Sequence, residues 1–178
     1  TARNYLEASK IVADYDRELY KRAKTILKAG YERESLIGAH GWYVTYEGDD
    51  RPLNEQKHPV QLNPVTYVPM PDLVCQDSSV IKAWNNRYEL TEQAKKPITK
   101  GWTFGQFSWT SCRMRAPREL EQDLWAIQAC RGADPRWIQF YESSFWTGWH
   151  LNKSYYFPMM GLYLQTFTDV LVQDWRGY

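Results

Sequence analysis

Residues 3–28 read RNYLEASKIVADYDRELYKRAKTILK. Basic side chains recur every seven positions at Arg3, Lys10, Arg17 and Lys24, with a second register at Lys21 and Lys28. At about 100° per residue, all six fall within ~60° of one helix face. Tyr5, Ala8, Val12, Tyr15, Leu19, Ala23 and Ile26 lie opposite, at the 3-4 spacing of a packing stripe. The pattern predicts one helix of about 25 residues, capped at Asn4 and stopped at Gly30, with a cationic rail ~38 Å long. A rod of that length and sign suits a polyanion laid along it. A solvated surface face is the alternative: Glu7, Asp14 and Glu18 flank the rail, and Glu18 is placed to pair with Lys21 or Arg22.

Downstream, a short helical piece from Tyr31 to Ile37 ends at Gly38. Together with the first helix it makes a helix–turn–helix arm over residues 1–38. From 39 to 76 the periodicity dissolves, and Pro52, Pro59, Pro64, Pro69 and Pro71 punctuate an extended surface strap with polyproline stretches. Trp42–Tyr46 has the composition of a short strand within it. Helical signals return at residue 77. Asp77 or Ser78 caps a helix to Lys96, Pro117 opens one over Arg118–Cys130, Asp134-Pro135 caps one through Trp149, and Pro158 opens the last, through Trp175. The expected fold is all-α: the arm, the strap, and a C-terminal four-helix bundle over residues 77–178.

The formal net charge of this 178-residue chain is +1, so any polyanion binding must come from local segregation of charge. Nine Trp, thirteen Tyr and six Phe are many rings for this length. Either they fill an aromatic core or they meet partner chains. Cys75, Cys112 and Cys130 are scattered and odd in number, which sets no disulfide framework. No apolar run reaches the ~18 residues of a membrane span. The apolar stretch Met159–Val172 reads as a bundle core helix or as a subunit contact.

Between Glu92 and Glu119 there is no acidic residue. Lys95, Lys96, Lys100, Arg113, Arg115 and Arg118 stand there on either side of Trp102, Phe104, Phe107 and Trp109. Cations with interleaved aromatics can neutralise phosphates and pack on sugars or bases. The alternative is a long loop whose aromatics cover the end of the bundle. The candidate nucleic-acid-binding set is therefore Arg3, Lys10, Arg17, Lys21, Lys24, Lys28, Lys95, Lys96, Lys100, Arg113 and Arg115.

Catalytic templates fail. Glu55-Gln56-Lys57-His58 has the spacing of a di-iron ligand pair, but prolines at 52 and 59 oppose the helix that would put both ligands on one face. His40, His58 and His150 have no ligand spacing between them, and no phosphate or dinucleotide fingerprint occurs. No catalytic residue, metal site or cofactor is expected.

A cationic N-terminal helical arm followed by a helical domain resembles the major capsid proteins of filamentous archaeal double-stranded DNA viruses, of lipothrixvirus and rudivirus type. The resemblance covers the whole chain as organisation and rests on no short motif. It implies a structural, non-enzymatic virion subunit whose arm, Asn4 to Ile37, wraps double-stranded DNA held in A form. It also implies self-association into a helical filament, a paralogous capsid subunit as partner, and a lipid envelope around the filament. The runner-up is an intracellular, non-catalytic accessory subunit of a multi-subunit enzyme or respiratory complex, with the rail against an acidic protein.

Overall fold

The structure, a computed structural model, describes residues 2–12, 15–29, 36–49, 51–67, 77–94, 101–129, 132–142 and 156–173, the side chains of residues 2 and 3 excepted. Among these residues the protein is all-α: seven helices, no strand, and three isolated bridges. The chain forms two compact units, Thr1–Ser35 and Leu36–Tyr178.

In the first unit the expected single rod is two helices, α1 (Ala2–Ala8) and α2 (Arg17–Ala29). The break has a local cause. After Ala8 the chain tightens into i→i+3 bonds, Lys10 N–H to Glu7 O at 3.2 Å and Ile11 N–H to Ala8 O at 3.0 Å. Asp16 then caps α2, its Oδ1 accepting from Glu18 N–H at 2.8 Å and Leu19 N–H at 3.0 Å. An Asp that satisfies the orphan amides of a first turn starts a helix rather than continuing one. Asn4 lies inside α1 and is not its cap. The Tyr5 hydroxyl donates to Asp16 O at 3.0 Å, and Ala23 is buried.

The expected piece Tyr31–Ile37 lies outside the described residues up to 35; Ile37, in the second unit, forms an antiparallel bridge with Tyr43. The chain turns between them at Gly41, whose φ of +80° suits glycine. Trp42–Tyr46 therefore contributes a single bridge and not a strand. The proline-rich segment is folded inward over its described part. Val60–Leu62 is a 3-10 turn, and Leu62, Val65 and Thr66 are buried. Pro52, Pro59 and Pro64, which suited an extended strap, instead adjoin turns from which Leu62 and Val65 are buried.

α3 (Ser78–Asn85) begins at Asp77, which accepts from Ser79 N–H at 2.9 Å. It stops at Asn86, and α4 (Arg87–Leu90) and a 3-10 turn (Glu92–Ala94) follow, so the expected helix to Lys96 is broken. α5 (Gly101–Arg113) occupies the segment with no acids, where a loop was the alternative to a binding surface. Eleven of its thirteen residues are buried, so it is the central helix, packed by α6 (Pro117–Ala129) and α7 (Phe157–Leu171). Gly105 is a close-approach point: a Cβ there would stand 2.7 Å from Met159 Sδ. Ser108 and Thr110 satisfy their hydroxyls on the carbonyls of Phe104 and Gln106, at 3.0 and 2.7 Å.

The helix expected from Asp134 is absent over residues 134–142; residues 143–149 lie outside the described ones. Asp134 Oδ1 accepts from Ile138 N–H at 2.7 Å and Gln139 N–H at 2.9 Å, closing a turn that sets Ala133 opposite Phe140. The core gathers Trp42, Leu62, Leu90, Phe104, Phe107, Ile127, Phe140 and Met159.

Candidate nucleic-acid interface

α2 keeps four of the six rail positions. Arg17, Lys21, Lys24 and Lys28 follow 4-3-4 spacing, which places them within ~60° of one face and along ~16 Å of axis. All four are exposed, and none forms an ion pair with another described residue. Lys24 Nζ sits 4.7 Å over the Tyr20 ring, a contact that leaves its charge accessible. Glu18, at the start of α2, favours the helix dipole. Away from the cations, Leu19, Ile26 and Leu27 are also exposed.

The remaining rail positions separate from these four. Lys10 lies in the turn after α1 and pairs with Glu7 at 2.7 Å, both exposed, which screens its charge without fixing it firmly. Arg3 has its backbone in α1, while its side chain lies outside the described residues.

Of the candidate cations in the second basic segment, only Arg113 and Arg115 are among the described residues. Lys95, Lys96 and Lys100 lie outside the described residues. Arg113 faces inward at the end of α5. Its Nε donates to Asp169 Oδ2 at 2.7 Å, its Nη1 to Val65 O at 2.8 Å and Thr66 O at 3.1 Å, and its guanidinium lies 4.3 Å from the Trp109 ring centroid. Arg115 is exposed, at a left-handed φ of 56°. Of the interleaved aromatics, Phe104 and Phe107 are fully buried, Trp109 is buried and donates to Asp169 at 2.7 Å, and Trp102 is half-buried beside His58 and Tyr67. Buried this way, Phe104 and Phe107 offer no stacking platform for bases.

Elsewhere the polar groups serve the fold. Asp123 is fully buried and accepts from Arg87 Nε and Nη2 at 2.9 and 2.8 Å, Tyr88 Oη at 2.8 Å and Ser111 Oγ at 2.6 Å. Burial raises its carboxyl above the usual range, while Arg87 and the hydroxyls pull it back. The sequence carries no sign of this network, because its members lie up to 36 residues apart. Burial pushes the Cys112 thiol up to about 11, which leaves it a poor nucleophile. Glu55–His58 is not helical: Gln56 bridges to Thr91, and His58 Nδ1 lies 3.1 Å from Thr103 Oγ1. Among the described residues no acid, His or Cys cluster could hold a metal ion, and no helix is long and apolar enough to cross a membrane.

Comparisons with protein-family models, curated proteins and solved structures find no match to this chain.

Proposed function

We propose that the chain is a structural, non-catalytic subunit that binds double-stranded DNA through its phosphates and assembles along it into a filament, as a virion capsid protein does. The observation that carries this is the unpaired cationic face of α2: four exposed cations in register, in a compact unit separate from the helical core. Repeated cations with no base-reading side chains suit binding that is independent of sequence. Arg3 and Lys10 extend the same arm, whose helix–turn–helix reading also takes in the piece Tyr31–Ile37. Lys95, Lys96, Lys100 and Arg115 are further contacts in the proposal; Arg113, held by Asp169, is left out of it. The helical second unit holds neighbouring subunits on this reading. A paralogous subunit, A-form DNA and a surrounding envelope belong to the same proposal.

The test is electron microscopy of the purified chain mixed with long duplex DNA, with nuclease protection measured in parallel. DNA-containing filaments that resist nuclease are expected. No binding at low salt, even with a paralogous chain added, would sink the proposal. A second reading, the accessory subunit of a larger enzyme assembly, is favoured by the apolar side chains exposed on α2 and α7. Co-purification with such an assembly, together with indifference to DNA, would select it.

A further inference from the structure

The second unit holds a cavity of about 320 Å³, at the small end of ligand-binding cavities, lined from the segment 38–61 and by Leu90. A turn at Gly41 folds Trp42 back on Gly38, whose N–H donates to Trp42 O at 3.0 Å. His40 lies nearly flat on Trp42, with 5.1 Å between ring centroids and 17° between planes, and both line the cavity as an aromatic wall. Gln56 and Gln61 line it too. Their amides pair reciprocally: Gln56 Nε2 donates to Gln61 Oε1 at 2.7 Å, and Gln61 Nε2 to Gln56 Oε1 at 3.1 Å. Gln56 spends its second N–H on His58 O at 2.7 Å, which fixes the orientation of both amides. On the opposite flank, Gln61 Nε2 keeps an N–H and Gln56 Oε1 a lone pair that no described residue takes up. Gln61 is only 5 % exposed, so that donor is buried in the wall and needs a partner from the cavity.

We infer that this cavity binds the adenine of a free nucleoside, with the ring against His40 and Trp42 and the N6 amine and N7 on the Gln56–Gln61 pair. The site lies wholly in the second unit and does not rest on the nucleic-acid reading of α2. Spacing selects the base. The free donor and the free acceptor stand 3.1 Å apart. That suits a donor and an acceptor set across two ring carbons, as N6 and N7 of adenine are. The donor and acceptor of a Watson–Crick edge flank a single carbon and lie closer together. Guanine carries two acceptors, O6 and N7, at the matching positions, and would leave Gln56 Oε1 facing an acceptor. Charge selects the rest of the ligand. Asp49 and Arg51 complete the polar lining and pair with each other at 2.6 Å, so their charges offset. Arg51 Nη1 donates to no described residue. A neutral rim with a spare donor suits ribose hydroxyls, whereas a phosphate would meet Asp49 as well as Arg51.

The test is calorimetric titration of the full chain with adenosine, without nucleic acid. Wild type should bind one equivalent. Inosine, with a carbonyl in place of the N6 amine, and 7-deazaadenosine, which lacks N7, should each bind ~10-fold or more weakly. Adenosine 5′-phosphate should bind no tighter than adenosine. Gln61→Leu removes the free donor and should weaken adenosine binding by ~10-fold or more. Gln61 is buried and paired, so a second variant guards against a folding defect. Ala39→Trp fills the cavity from an exposed lining position, and should lose adenosine binding while keeping wild-type circular dichroism and thermal unfolding. The chain with Arg17, Lys21, Lys24 and Lys28 changed to Gln should bind adenosine as wild type does. A wild-type chain that ignores adenosine, one that takes inosine equally well, or a folded Ala39→Trp chain with wild-type affinity overturns the inference. So does tighter binding of a short oligodeoxyadenylate that persists in the α2 variant, which would give the cavity to a base within a strand. Duplex titration of the same samples separates the two proposals. Adenosine binding without DNA binding contradicts the nucleic-acid reading alone, and DNA binding without adenosine binding contradicts the nucleoside site alone.

Discussion

The Arg113 Nε donates to the Asp169 carboxylate at 2.7 Å and so ties the end of α5 to the last turns of α7. Only 13 % and 8 % of the two side chains is exposed. An ion pair held this way, with Trp109 and Gln165 completing the carboxylate, belongs to the fold and not to a ligand surface. Arg113→Gln should therefore cost about 2–4 kcal/mol of stability, read by urea unfolding, because Asp169 loses its partner charge. Below the unfolding transition it should leave the salt dependence of DNA binding unchanged. A flatter salt slope in that variant would return Arg113 to the binding set.

The Arg87–Asp123 pair offers a sharper test of the core. Side-chain exposure is 5 % and 0 %. Arg87→Met or Asp123→Leu alone strands a buried charge and should cost ~3–5 kcal/mol, whereas the double variant should recover most of that loss. Chemical unfolding of the four chains in a double-mutant cycle reads the coupling. Additive single losses would mean that the pair is not coupled as its geometry requires.

Asp134 gives a pH dependence with a definite sign. Burial works to raise its carboxyl, but the amides of Gln139, Ile138 and Arg136 hold it below the ordinary value of 3.8. A carboxyl whose folded value is depressed contributes stability that is fully present above its unfolded value. That stability is lost as pH falls through the lower folded value. Asp134→Asn should thus lower stability at neutral pH and flatten the acid limb of the stability curve below about pH 4. An unchanged acid limb would show that the turn does not depend on the ionised carboxylate.

Element starts were legible because they are local. Asp77 caps α3, Pro117 opens α6 and Pro158 lies in the first turn of α7, each a signal contained within four residues. α5 was not, since a helix buried on nearly all sides has no polar face to give it a period, and GWTFGQFSWTSCR is poor in strong helix formers. The break in the first helix was hidden for another reason. The seven-residue repeat runs through it, and only the competition between Asp16 as a cap and the helix interior reveals the stop. Of the candidate site, the four cations on α2 follow from spacing alone. The inward turn of Arg113 depends on Asp169, Val65 and Thr66, which lie 47–56 residues away and which no local pattern connects to it.

The central claim is that α2 meets phosphate through Arg17, Lys21, Lys24 and Lys28. The most direct measurement is the salt dependence of duplex DNA binding for wild type and for the chain with all four changed to Gln. Each phosphate contact contributes about 0.9 to the slope of log K against log salt, so the variant should lose roughly 3–4 from that slope and bind far more weakly at low salt. Its helical circular dichroism should persist, since the four side chains are exposed and Gln is a good helix former. A variant that binds duplex with the wild-type affinity and slope would contradict the account.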